Sequence, residues 1–227
     1  MSRAWFVTGT DTGVGKTFAS VALLHALRAR GLRVAGMKPV ASGCERGDNG
    51  WRNDDALALQ SASDPLPAYA DVNPFALPAA TAPQLAARDA GITVALTPLQ
   101  AAFARLSARA DAVVVEGAGG WLAPMGDGLE QSAMARAVGG EVLLVVGLRL
   151  GCLSHARLTA GAIAADGCRL AGWIGNRVDP GFDRVDDYLA LLREALPAPC
   201  LGVLAHGADP AGALPGLPEA MFAPRPR

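Results

Sequence analysis

The residues with the clearest chemistry run from Gly9 to Thr17 as GTDTGVGKT. Glycines let successive backbone N–H groups turn inward around phosphate oxygens. A lysine beside them neutralises the β and γ phosphates of a nucleotide, and the hydroxyl that follows reaches Mg2+. Lys16 and Thr17 fill those two places. In the pattern GxxxxGK[ST] the first glycine would fall on Thr10, whereas Gly9 stands one residue earlier. An ordinary Gly-rich turn before a helix is the alternative reading of the run.

Of the twenty basic residues eighteen are Arg, and Lys16 and Lys38 are the two Lys. A compact ammonium enters a phosphate cradle that a guanidinium fork would overfill. Lys38 lies in MKPVASG, and Pro39 fixes an extended exit after it. Two ammoniums on one edge could hold a transferring phosphoryl group from both sides. Glu116 follows the apolar run Val113–Val115 and enters EGAGG, read as a turn. An acid at the end of a parallel strand lies at the carboxyl edge, where ligands bind, and can complete a Mg2+ shell. Asp54 and Asp55 open the helix-like run DDALALQ, where an acid is also favoured as a cap.

These groups need a frame. Short apolar runs recur at Trp5–Thr8, Val34–Met37, Val113–Val115, Val142–Val146, Ala171–Ile174 and Leu201–Leu204. Helical periodicity lies between several of them, at Phe18–Arg30, Leu99–Ala110, His155–Ala165 and Asp187–Leu196. Strands alternating with helices predict an α/β fold, doubly wound, with a mostly parallel sheet covered on both faces. A P-loop NTPase type of domain spanning 1–227 is expected. The five prolines between Asp64 and Pro83 predict a long surface excursion, and 207–227 reads as an irregular tail.

With 227 residues, 51% of them hydrophobic, the chain can bury a large core. A net charge of −1 and a pI near 6.3 give no reason to expect nucleic acid or an anionic membrane as partner. The four cysteines form no CxxC pair and the three histidines lie far apart, which argues against zinc. No basic segment leading into a long apolar one opens the sequence, so a cytoplasmic location is expected.

The sequence resembles the dethiobiotin synthetase family. GTDTGVGKT, KPVASG (38–43), RNDDALAL (52–59), VEGAGGW (115–121), LGCLSHARLT (150–159) and AGWIGN (171–176) stand in the family's order and spacing, covering the chain from Phe6 to about Gly202. The resemblance implies ATP-dependent joining of CO2 to 7,8-diaminononanoate, with closure of a cyclic urea through a carbamate and a mixed anhydride. It implies ATP as co-substrate, Mg2+ on Thr17, Asp55 and Glu116, and Lys38 and Lys16 as the catalytic lysines. Nucleotide contacts would come from Gly13, Val14, Gly15, Lys16, Thr17 and Phe18, from Asp55, from Glu116, Gly117, Ala118 and Gly119, and from Asn176 and Arg177. Thr12 and Ser42 would meet the diamine end of the substrate. The family is homodimeric with its site at the subunit interface, so Gly151, Cys152, Ser154 and Tyr188 of the second subunit would bind the substrate carboxylate. Gly13, Ser154, Arg177 and Ala205 depart from residues that some relatives carry there, namely Glu, Asn, Asp and Pro.

Two rivals follow from the same residues. A nucleotide switch of the partitioning kind has a signature Lys five residues before the loop lysine, where this chain has Asp11. An amide-forming ligase acting on a cobalamin or pteridine precursor often carries a glutamine-handling domain, for which this chain is too short.

Overall fold

The computed structural model describes residues 2–214, 216, 217 and 221. The chain opens with β1 (Arg3–Gly9), α1 (Lys16–Ala29), β2 (Val34–Met37), β3 (Val40–Ala41), β4 (Glu45–Gly47) and β5 (Gly50–Arg52). It continues through α2 (Asp54–Ala62), α3 (Tyr69–Val72), β6 (Phe75–Ala76), α4 (Pro83–Asp89), α5 (Leu96–Ser107) and β7 (Ala112–Gly120). Then come β8 (Pro124–Gly126), β9 (Leu129–Glu130), α6 (Gln131–Ala137), β10 (Glu141–Gly147), α7 (Cys152–Ala165), β11 (Arg169–Asn176), α8 (Val185–Ala195) and β12 (Cys200–Leu204).

Six strands form one sheet in the order β12-β11-β10-β1-β7-β2, with every neighbouring pair parallel. Successive side chains on a strand point to opposite faces, so a sheet covered on both sides needs continuous apolar runs. The runs divide accordingly. Ala4, Phe6, Val113, Val115, Leu144 and Val146 join one core cluster, which receives α4 to α8. Trp5, Val7, Val114, Leu143, Val145 and Ile174 join the other, under α1 and α2. The expected face of the first helix, Val21, Leu24 and Leu27, lies in this second cluster.

From β1 the chain moves out to β2 and returns through β7, while β10 leads away through β11 to β12. The neighbours β1 and β10 therefore send their connections to opposite sides, and such a switch point opens a crevice at the carboxyl ends of the strands. The loop after β1 carries the GTDTGVGKT glycines into that crevice.

Three expectations need correction. EGAGG is no simple turn, because β7 continues to Gly120 and pairs Gly120 with Gly9 across an irregularity. The stretch from Asp64 to Pro83 is more than a surface excursion. It forms α3, pairs β6 with β3, and buries Val72, Asn73 and Leu77. The fifth helix begins at Leu96 rather than Leu99, because Pro98 falls in the first turn, where its missing N–H is not needed. In the tail expected to be irregular, 207–214 contains turns and bends without helix or strand, and most of 215–227 lies outside the described residues. Among the described residues no helix is long and apolar enough to cross a membrane.

Candidate active site

The phosphate loop is built by its backbone. Gly15 sits at φ 81 just before α1, in the left-handed region that favours glycine. Asn176, at the end of β11, donates from Nδ2 to the Val14 carbonyl at 2.9 Å and ties the loop to the sheet. A Cβ on Gly15 would lie 2.0 Å from that same Nδ2. Lys16 opens α1, is only 7% exposed, and donates from Nζ to the Asp11 carbonyl at 3.0 Å. Burial, then the nearby Lys38 charge, lowers its pKa to about 8 against the opposing pull of Glu116 and Asp55.

Lys38 follows β2 directly, buried at the edge of the sheet. Its Nζ donates to Glu116 Oε1 at 2.6 Å, to Asp55 Oδ2 at 2.9 Å and to the Gly117 carbonyl at 3.4 Å. Burial disfavours the ammonium, but Glu116 and Asp55 outweigh it and raise the Lys38 pKa. Burial likewise pushes the Asp55 carboxyl up, and the charge and hydrogen bond of Lys38, with a hydrogen bond from Thr17, bring it below the usual range. The cap of α2 is Asn53, whose side chain accepts from Ala56 N–H at 3.3 Å, and Asp55 instead meets Lys38. The alternative that Asp54 or Asp55 serves as the cap is therefore not what the structure shows. The far end of α2 is fixed to β2, since Ser63 Oγ accepts from Gly36 N–H at 2.9 Å.

Glu116 has no exposed surface. Its Oε1 accepts from both Lys38 and Thr17 Oγ1, the latter at 2.9 Å, whereas Oε2 is buried with no hydrogen-bond partner among the described residues. A buried carboxylate oxygen without a donor is costly unless an ion or ligand meets it. Two carboxylates and a hydroxyl suit Mg2+, which binds through few protein oxygens together with nucleotide phosphates and water. Among the described residues no group of three or more His, Cys, Asp or Glu gathers to hold a metal alone.

Lys16, Thr17, Lys38 and Asp55 open on a cleft of about 630 Å³. Thr12, Gly13, Gly15, Lys16 and Thr17 form one wall; Lys38, Ser42 and Asp55 another; Ala118 and Gly119 a third. A second recess of about 390 Å³ is lined by Phe18, Asn176, Arg177 and Ala205 to Ala208, and it shares Gly13 and Gly15 with the first. An elongated ligand with a phosphate chain at its middle matches two recesses joined at the loop glycines. Gly151, Cys152, Ser154 and Tyr188 line neither recess of this chain. Gly151 and Ser154 are exposed at the start of α7, and the Cys152 side chain is buried. Tyr188 stacks edge-on against Phe182 with centroids 4.8 Å apart. At the place of the switch lysine, Asp11 instead pairs with Arg149 Nη2 at 2.8 Å.

Sequence reasoning missed several groups. Asn73 donates to the Lys38 carbonyl at 2.7 Å, and Tyr69 donates to Asn73 Oδ1 at 3.1 Å. Ala80 to Pro83 close one side of the larger cleft. Gln131 is fully buried against β7. Asn53 alone had a signal, a cap-type residue directly before DDALALQ.

A family model described as an AAA domain matches residues 3–209. A protein of Xylella fastidiosa (strain 9a5c) named ATP-dependent dethiobiotin synthetase BioD is 61% identical over 211 residues, 92% of this chain and 93% of that one. One of the same name from Xanthomonas oryzae pv. oryzae (strain PXO99A) is 61% identical over 199 residues, 88% and 89% of the two chains. Among solved structures, the signal recognition particle receptor FtsY from Elizabethkingia anophelis aligns with a TM-score of 0.57 at 18% identity, covering 97% of this chain and 63% of that one. The septum site-determining protein MinD from Pyrococcus horikoshii OT3, complexed with Mg-ADP, aligns at 0.53 and 19% identity, covering 96% and 87%. At those identities the two structures speak to the fold alone.

Proposed function

The chain belongs to the ATP-dependent dethiobiotin synthetase family, and from that premise we propose that its cleft closes a cyclic urea on 7,8-diaminononanoate with CO2, splitting ATP to ADP and phosphate. The observation that carries this reading is the placement of Lys38. Its ammonium is held between Asp55 and Glu116 in the cleft that the phosphate loop and Lys16 also line.

Phosphoryl transfer asks a protein for positioning and charge neutralisation rather than a covalent nucleophile. The diamine enters beside Thr12 and Ser42, and one amine takes up CO2 as a carbamate. Lys16, with the N–H groups of Gly13 to Thr17 and the start of α1, holds the β and γ phosphates. Phe18, Asn176 and Arg177 meet the base in the smaller recess. Lys38 neutralises the carbamate and the transferring γ-phosphoryl, which moves to the carbamate oxygen. The second amine then attacks the carbonyl carbon and expels phosphate, closing the ring. Thr17, Asp55 and Glu116 are the residues that would hold Mg2+. At that place a bound Mg2+ would supply positive charge to offset the negative charge that builds on the phosphates. Glu116 Oε2, bare and buried, supports that assignment.

The substrate carboxylate lies several carbons from the amines and needs its own anion site. In a homodimer, the second subunit would supply the N-terminal turn of α7, with Gly151, Cys152 and Ser154, together with Tyr188. A helix start offers free N–H groups to an anion. The smaller part of this segment that can touch substrate is set by burial: the Cys152 side chain is enclosed, so its contact would be through the backbone. The protein is proposed to work as a cytoplasmic homodimer. The test is direct: with ATP, Mg2+, 13C-bicarbonate and the diamine, the cyclic urea should appear one mass unit heavy. ADP accumulating with no such product overturns the reading.

A further inference from the structure

Next to Glu116 the sheet is locally incomplete. Along β1 the register pairs Val7 with Glu116 and then Gly9 with Gly120, so Thr8 alone faces Gly117, Ala118 and Gly119. On the other flank the pairing with β2 ends at Met37 and Val115. The stretch Gly117–Gly119, of which Ala118 and Gly119 line the cleft, therefore has no paired residue on either flank, and the backbone groups of Ala118 at its middle must be satisfied some other way.

Gln131, the first residue of α6 and fully buried, supplies what is missing. Its Oε1 accepts from Ala118 N–H at 3.0 Å. Its Nε2 donates to the Ala118 carbonyl at 2.8 Å and to the Gly120 carbonyl at closer range. The carboxamide thus presents a donor and an acceptor to one residue, as a neighbouring strand would. It packs so closely that a Cβ on Gly117 would lie 2.0 Å from Oε1. The opposite side of the same segment is occupied by Lys38, which donates to the Gly117 carbonyl.

We propose that Gln131 is a positioning residue for phosphoryl transfer: its carboxamide bridges the break in strand pairing at Ala118 and fixes Glu116 and the wall formed by Ala118 and Gly119 against Lys38 and the phosphate loop. The inference rests on the function proposed above. Gln131 touches no substrate; it acts through the backbone it holds.

Two variants test it. Gln131→Met keeps the volume and removes both hydrogen-bonding senses. Its kcat should fall ~10-fold or more while the KM for ATP shifts little, since a misplaced wall slows chemistry more than binding, and its Mg2+ requirement should rise. Gln131→Glu keeps the shape. A buried carboxyl facing two carbonyls holds its proton to higher pH, and the protonated acid offers one donor and one acceptor as the amide does. Its kcat relative to wild type should approach one at pH 6 and fall toward the Met level by pH 9. In the nucleotide-free protein, hydrogen exchange at the Ala118 amide should be slow in wild type and fast in the Met variant. Wild-type kcat and Mg2+ dependence in folded Gln131→Met, or a relative rate for Gln131→Glu that is flat with pH, overturns the proposal. If the Met variant does not fold, the Glu profile decides alone. If wild type itself makes no cyclic urea, the function reading fails instead, and Ala118 exchange still reports whether Gln131 holds the wall.

Discussion

Replacing Lys16 with Met should make the nucleotide-free protein more stable and ruin its use of ATP. Lys16 is 7% exposed, and burial with the neighbouring Lys38 charge lowers its pKa from 10.5 to about 8. The folded value lies below the unfolded one, so between those two pH values the unfolded chain binds more protons. The penalty of burying the ammonium is present in full below pH 8 and relieved as pH rises toward 10.5. At 1.36 kcal/mol per pKa unit the penalty is on the order of 3 kcal/mol at pH 7. Lys16→Met removes it, so its melting temperature at pH 7 should exceed wild type by several degrees, and the gap should close by about pH 10. The same geometry predicts proton uptake on binding. Phosphate oxygens beside Lys16 restore its ammonium, so MgATP should take up about half a proton at pH 8, and its affinity should be about tenfold weaker at pH 9 than at pH 7. Calorimetry in two buffers of different ionisation heat reads the uptake. A Lys16→Met protein that melts no higher than wild type at pH 7, together with MgATP binding that takes up no proton at pH 8, refutes the reasoning.

Asp55→Ala, Thr17→Ala and Glu116→Ala should each raise the Mg2+ concentration needed for half-maximal turnover, because each removes an oxygen from a hard cation; normal activity of Asp55→Ala at limiting Mg2+ would count against its place in the site. Glu116→Ala should also lower stability by ~3–5 kcal/mol in denaturant titration, since it leaves the buried Lys38 ammonium short of its closest partner. Lys38→Arg should fold but lose ~10²–10³ in kcat, because a guanidinium cannot take the place of a point charge set 2.6 Å and 2.9 Å from two carboxylates; an active enzyme contradicts this. Mixing an inactive Lys16 variant with one altered at Ser154 and Tyr188 should restore some activity once subunits exchange, and exchange without any recovery means each subunit carries a complete site.

What the sequence made legible was what lies close together in it. Lys16 and Thr17 close the contiguous run from Gly9 and open α1, and Glu116 directly follows the apolar run Val113–Val115 inside β7. Lys38 stood out through composition, as one of two Lys among eighteen Arg. The supports were hidden because they join distant positions without a spacing rule: Asn73 meets a carbonyl 35 residues away, and Gln131 meets one 13 residues away. A buried amide or an Asn before a proline has no periodic signature. The Pro-rich stretch misled for a related reason. Prolines report local backbone limits, whereas the burial of Val72 and Leu77 comes from packing against β2 and β3 that local rules do not contain.

The central claim is that the γ-phosphoryl group moves to a carbamate oxygen in this cleft. Supplying CO2 labelled in both oxygens with 18O, together with the diamine and MgATP, tests it most directly. If the second amine expels the phosphorylated oxygen, each phosphate released should carry one 18O and each cyclic urea one 18O in its carbonyl. Cyclic urea accompanied by unlabelled phosphate would contradict the account.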